Sequence, residues 1–134
     1  RGDAGSAGVG VAALPGAVQH RLGVVAFQQG RIDESVELLS ESLSNEESGE
    51  RWNDWAIAQL SRKCEGDAEQ GFRRALELEP ASIQTAANLG VLLMNQRRYA
   101  EAVSYLSHAA REAGDSERSE LLTLLAECSS HICR

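Results

Sequence analysis

Three cysteines and a histidine are the residues of this chain whose types best suit a metal site. They are Cys64, Cys128, His131 and Cys133, the ligand set of a Cys₃His zinc centre. Cys64 falls in the middle of the chain and the others near its end, with several predicted helices between them, whereas metal ligands must lie in close reach. We therefore predict no metal site, and we interpret Cys128 as a small apolar residue on a helix face.

Catalytic motifs are equally hard to find. The three histidines, His20, His108 and His131, are far apart, and none neighbours a serine or aspartate in a nucleophile motif. The sequence has no phosphate-binding glycine loop, no HExxH and no CxxC. We therefore expect neither an enzyme nor a bound cofactor.

The charge excludes some classes of partner. Twenty acidic residues against 13 basic ones give a net charge of −7, which disfavours binding to nucleic acid and to anionic membranes. The segment 32–50 carries acidic residues but no lysine or arginine. It is interpreted as a solvated helix face, with a docking patch for a basic partner as the alternative.

No run of residues reaches the length of a membrane helix, and the first residues lack the pattern of a signal peptide. An odd number of cysteines without framework spacing favours a reducing compartment, so we expect a cytoplasmic protein. The chain begins with Arg1 rather than Met, which suggests a piece of a longer polypeptide.

The composition predicts an all-α fold. Hydrophobic residues make up 43% of the chain but aromatic ones only 4%, and the many alanines suit closely packed helices. Strand-like alternation is absent. After a glycine-rich segment 1–15, expected to be a flexible lead-in or a helix remnant, apolar residues recur at helical spacing. They predict three helical hairpins and one extra helix, with Asp67 as the N-cap of the fourth helix.

Residues of matching size return every 33 or 34 positions. Small residues recur in three columns and large ones in two, and one hairpin alone cannot bury its apolar face, so neighbouring hairpins must stack. The columns are Leu22, Trp55 and Leu89; Gly23, Ala56 and Gly90; Ser35, Ala68 and Ala102; Leu39, Phe72 and Leu106; Ser42, Ala75 and Ala109.

With these columns the sequence resembles the tetratricopeptide repeat family. The resemblance covers about residues 16–113 and rests on matching order, spacing and residue size, as in Asn88-Leu89-Gly90 followed by Tyr99-Ala100-Glu101-Ala102. It implies an α-α superhelix, a solenoid of antiparallel hairpins, with repeats at about 16–48, 49–82 and 83–115. A capping helix is expected at about 116–129.

In the resembled family the first helices of the repeats line a concave groove that holds a partner. Carried over by position, the resemblance implies an uncharged, partly apolar groove without the Lys or Arg of a carboxylate clamp. The alternative is that its apolar members simply pack between helices. The implied residues are His20, Asn53 and Ala87; Val24, Ile57 and Val91; Phe27, Leu60 and Met94; Gln28, Ser61 and Asn95; and Asn88.

Two functions follow as hypotheses. The first is a protein–protein interaction module, a scaffold or adaptor that holds a short helix or extended peptide with apolar anchors. The second is the accessory region of a larger enzyme, such as a bacterial transferase with appended repeats. Self-association through the ends of the solenoid is a further expectation.

Overall fold

A computed structural model describes residues 10–133, and in this range every regular element is a helix. The all-α prediction is therefore confirmed. A single helical turn at 10–12 precedes the first long helix, and residues 1–9 of the predicted flexible segment lie outside the described range. The helices are α1 (Gly16–Gln28), α2 (Ile32–Asn45), α3 (Gly49–Ser61), α4 (Glu65–Leu78), α5 (Ile83–Asn95), α6 (Tyr99–Glu112) and α7 (Asp115–Ile132).

The chain divides into two compact units, and the boundary falls inside α4, between Gly71 and Phe72. In the first unit α1 packs on α2 and α2 on α3, while in the second unit α5 packs on α6 and α6 on α7. Among the described helices, none is both long enough and apolar enough to cross a membrane.

Serine N-caps begin the first helices of the second and third hairpins. The side chain of Ser48 accepts a hydrogen bond from the backbone N–H of Arg51, and Ser82 does the same for Thr85. Each cap satisfies one of the donors that a helix start leaves without an intrahelical partner.

The turn inside each hairpin uses one backbone conformation three times. Gly30, Lys63 and Arg97 have φ values of 81°, 64° and 63°. The next residue donates its N–H to a carbonyl five positions back in each case, at 2.9 Å, 2.9 Å and 2.8 Å, which is the hydrogen bond of a Schellman motif. The prediction of Asp67 as an N-cap is wrong, because Lys63 completes the turn early and α4 begins at Glu65.

The two helices of a hairpin approach each other closely at two glycines of the small-residue columns. A Cβ built on Gly23 would lie 2.8 Å from Cγ of Leu39, and one on Gly90 would lie 2.7 Å from Cγ of Leu106. The hydroxyl of Ser35 donates a hydrogen bond of 2.7 Å to the carbonyl of Gly23. The small residues thus let the two helices of a hairpin touch along their backbones.

Some apolar residues of α1 do not join the core. Val18, Leu22 and Val25 are 40%, 40% and 43% exposed, whereas Ala26 on the same helix is fully buried. Leu22 belongs to the column of Leu89, which is fully buried. The exposure of Leu22 therefore departs from the repeat pattern, since among the described residues no helix covers this face of α1.

The last helix packs on α6 along one side. Leu121 and Cys128 are its buried residues. Near its start, the Arg118 guanidinium donates to the carbonyls of Ala110 and Ala113, which satisfies acceptors at the end of α6. Near its other end, His131 stacks on Tyr99 with ring centroids 4.3 Å apart.

Candidate functional site

Helices α1 and α3, the first helices of the first two hairpins, are joined by a polar pair. His20 Nε2 lies 2.7 Å from Asp54 Oδ2, and the two side chains are only 13% and 25% exposed. An ionised carboxylate can only accept a hydrogen bond, so the imidazole N–H is the donor. The pair fixes the distance between the two helices at one end of their contact.

A concave, mostly apolar cavity lies beside this pair. Its volume is about 190 Å³. Four of its lining side chains are aliphatic or aromatic and two are polar, which is the usual composition of a small binding pocket. The lining residues are Val24, Phe27, Gln28, Leu39, Asp54 and Ile57.

The structure brings together four of the groove residues expected in this unit, since Val24, Phe27, Gln28 and Ile57 all line the cavity. The others lie in different environments. Asn53 is only 4% exposed, so its side chain belongs to the interior of the unit. Among the remaining expected residues of this unit, those half-buried are His20 and Leu60, and the exposed one is Ser61.

The expected groove residues of the second unit all lie on α5. Val91 is 39% exposed and Met94 only 9% exposed. Ala87 and Asn88 are half-buried, and Asn95 is exposed. Asn95 and Val91 are therefore the members of this set that offer the most surface.

Two residues of the cavity were missed by sequence reasoning. Leu39 was expected in a repeat column but not in the groove, and Asp54 was assigned no role. Asp54 stands 34 positions after His20, one more than the 33 positions that separate corresponding residues of the first two repeats, so the repeat columns did not align the two residues.

A larger cavity, of about 740 Å³, lies against α2 and the helical turn at 10–12. Acidic side chains, Glu34, Glu37 and Glu41, alternate with apolar ones on its walls. We place the candidate site in the smaller cavity because all of its lining residues except Leu39 come from first helices, and because one of them is Asp54, the partner of His20. The larger cavity is lined by α2 and the turn at 10–12, without a residue from a first helix.

Similarity to solved structures decides the fold. The first TPR of Spaghetti (RPAP3), solved with the HSP90 peptide SRMEEVD, superposes with a TM-score of 0.80 at 17% identity, covering 89% of this chain and 96% of that one. The Arabidopsis OM64 TPR domain gives 0.78 at 18% identity, covering 87% and 95%. The TPR2B domain of yeast Sti1, in its pHsp70 complex, gives 0.77 at 20% identity, covering 86% and 97%.

The family model of the tetratricopeptide repeat matches residues 82–111, which span α5 and most of α6. The chain has the tetratricopeptide-repeat fold. A search of curated proteins finds no match to the sequence. The resemblance to the repeat family is therefore confirmed. The family model matches the sequence of the third repeat, and the solved structures match the fold.

In tetratricopeptide-repeat terms, α1, α3 and α5 are the first helices of their repeats. The candidate cavity lies between two of these first helices, α1 and α3, and Leu39 of α2 also lines it. First helices are the ones that the resemblance predicts to line a partner-binding groove.

The cysteines of this repeat chain are free thiols. Cys128 is buried, Cys64 half-buried and Cys133 exposed. Burial raises the pKa of the Cys128 thiol above its ordinary value, and the neighbouring negative charge of Glu127 raises it further. Cys128 therefore holds its proton and behaves as a small apolar side chain.

Proposed function

We propose that this chain is a protein-interaction module that binds a partner peptide against the first helices of its repeats. The observation that carries the proposal is the apolar cavity between α1 and α3, which is lined by Val24 of α1 and Ile57 of α3. A cavity of this size accepts one aliphatic side chain, and apolar anchors in such pockets supply most of the affinity of a bound peptide.

The polar residues of the cavity favour one kind of peptide. Asp54 adds a carboxylate to the lining, and neither Lys nor Arg is among the lining residues. A C-terminal carboxylate would be repelled there, whereas backbone N–H groups or a basic side chain beside the apolar anchor would be attracted. The partner is therefore an internal segment, helical or extended, with an aliphatic anchor.

The solved neighbours support the binding of peptides by this fold. The Spaghetti domain holds an HSP90 peptide and the yeast Sti1 domain is in complex with pHsp70. We propose that the chain acts by binding a partner, as a scaffold or adaptor, rather than by catalysis. We also propose a cytoplasmic location, which the free thiols favour.

The remaining expectations about partners belong to the same proposal. A net charge of −7 disfavours nucleic acid as a partner. Self-association through the ends of the array stays a prediction, and the exposed Val18, Leu22 and Val25 of α1 provide apolar surface for it.

The proposal is tested by selecting peptides from a displayed random library against the wild-type chain and measuring their affinity by fluorescence anisotropy. Ile57→Asp places a charge in the cavity and is expected to weaken binding at least about tenfold, since it removes an apolar contact and desolvates a carboxylate. Asn53→Ala is a poorer test, because Asn53 is almost fully buried.

The matched control is Val25→Asp, which introduces the same charge at an exposed apolar position of α1 outside the cavity. It should leave the affinity within about twofold, as expected for a surface charge at a distance. Circular dichroism checks that both variants remain helical. Selected peptides that bind Ile57→Asp as well as wild type would exclude this cavity as the peptide site.

A further inference from the structure

A cluster of ligand-type side chains joins α1 to α3 at the end of the candidate site. His20 reaches across from α1, while Glu50 and Asp54 stand four residues apart on α3 and so share one helix face. One ligand atom from each residue can be chosen such that all lie within 4.8 Å of one another. The three residues belong to the unit that ends at Gly71.

We propose that His20, Glu50 and Asp54 bind one divalent transition-metal ion, with zinc as the best-suited metal. One imidazole and two carboxylates form a nitrogen–oxygen donor set that suits zinc and its neighbours in the first row. Calcium and magnesium prefer all-oxygen sites. The site was not foreseen from the sequence, which predicted no metal site, and it does not depend on peptide binding.

The surroundings leave room for the ion and its water. A cavity of about 500 Å³ opens on this cluster and is lined by His20 and Glu50. Three protein ligands and one water complete a tetrahedral zinc site. In such a site, bonds of about 2.0–2.1 Å keep neighbouring ligand atoms about 3.3 Å apart, so the 2.7 Å His20–Asp54 pair must open only slightly.

The charges of the proposed ligands themselves favour a cation. Two carboxylates offset the double positive charge, and the low exposure of His20 and Asp54 reduces the screening by water. Arg21, Arg51 and Glu46 line the same cavity. The Arg51 guanidinium donates from Nη1 to the carbonyls of Ser42 and Glu46, which holds that end of the side chain on the backbone.

The test is calorimetric titration of zinc chloride into the full chain carrying Cys64→Ser and Cys133→Ser, which removes the two accessible thiols that bind zinc on their own. One zinc ion per chain is expected. Glu50→Gln in this background keeps the size of an exposed side chain and should weaken zinc binding at least about tenfold, as the loss of a ligand does.

The matched control is Glu46→Gln, which removes the same charge from the wall of the same cavity but not from the proposed ligand set. It should change zinc affinity by no more than about twofold, as expected for an exposed charge. Equal weakening by Glu46→Gln and Glu50→Gln would overturn the site, since the acidic surface alone would then explain zinc uptake. So would titrations that never saturate at one ion per chain.

Cobalt supplies an independent readout of the ligands. With cobalt chloride, the chain carrying Cys64→Ser and Cys133→Ser, the parent chain here, should show the visible absorption of a low-symmetry site with nitrogen and oxygen donors. It should show no thiolate charge-transfer band. His20→Gln should abolish this absorption. A spectrum that survives His20→Gln, in a variant whose circular dichroism matches the parent, contradicts coordination by the imidazole.

Discussion

The isobutyl group of Leu106 occupies the space that a side chain on Gly90 would need. A Cβ built on Gly90 would lie 2.6 Å from Cδ2 and 2.7 Å from Cγ of Leu106. Cγ is fixed by the χ1 angle of a fully buried residue, so it has little freedom to retreat. The contact joins α5 to α6 and sets how closely the two helices of the third hairpin approach.

Gly90→Ala is therefore expected to destabilise the fold. Overpacking costs about 1–3 kcal/mol, and the better helix propensity of alanine returns about 1 kcal/mol, so the net loss is about 1 kcal/mol. Gly66→Ala is the matched control, because Gly66 lies in α4 with no atom within 4 Å of the added Cβ. Urea unfolding followed by circular dichroism measures both, and a stabilised Gly90→Ala would refute the steric argument.

The sequence predicted the recurring side-chain sizes but not this contact. Gly23 and Gly90 occupy one column and Leu39 and Leu106 another, and the columns alone do not say which of them touch inside a hairpin. The exposure of Leu22 could not be predicted either, since its column also holds the fully buried Leu89. Periodicity thus predicts which residues are alike, whereas contact and burial depend on what packs against each of them.

The candidate site was only partly predictable for a related reason. Val24 and Ile57 follow from the resemblance to the repeat family, and both line the cavity. Asp54 does not, because the columns compare residues at equal positions, whereas its contact with His20 pairs neighbouring positions across two repeats. The proximity of Glu50 depends further on side-chain directions, which spacing alone does not give.

The turns give a second prediction, about residues with positive φ. Lys63 and Arg97 hold the conformation that Gly30 holds in the first hairpin, and this conformation costs a non-glycine residue about 1–2 kcal/mol. Lys63→Gly should stabilise the chain by about 0.5–1 kcal/mol, the relief of strain less the added flexibility of the unfolded chain. Gly30→Ala should have the opposite sign. Thermal unfolding of both variants checks the pair, and a destabilised Lys63→Gly would contradict the expectation.

Two buried glutamines provide the third prediction. Oε1 of Gln59 is buried without a hydrogen-bond partner in the described structure, whereas Gln19 donates to the carbonyl of Val11 and accepts from Asn45. Gln59→Met should therefore stabilise the fold by about 1 kcal/mol, since an unsatisfied buried acceptor is costly. Gln19→Met should destabilise it by about the same amount. Denaturant titration measures both, and two shifts of the same sign would contradict the assignment of these hydrogen bonds.

The fourth prediction concerns the thiols. Cys128 is fully buried and its pKa is raised by burial and by Glu127, so both access and thiolate formation are suppressed. A thiol reagent added to the folded chain should modify Cys133 and Cys64 quickly and Cys128 only as fast as the fold opens. In urea all three should react at similar rates. Rapid modification of Cys128 in the folded chain, located by mass spectrometry of peptides, would contradict its burial.

The same raised pKa predicts how stability depends on pH. The unfolded chain releases the Cys128 proton at the ordinary thiol pKa of about 8.5, while the folded chain still holds it because burial and Glu127 oppose the thiolate. Stability is therefore unaffected by this group at neutral pH and falls as the pH rises above that value. Cys128→Ala removes the titrating group, so the difference in unfolding free energy between the two chains should shift in favour of the alanine variant between neutral and alkaline pH. If the unfolding free energies of the two chains changed in parallel with pH, the thiol would have the same pKa in the folded and unfolded states. That result would contradict the pKa shift expected from its burial on α7.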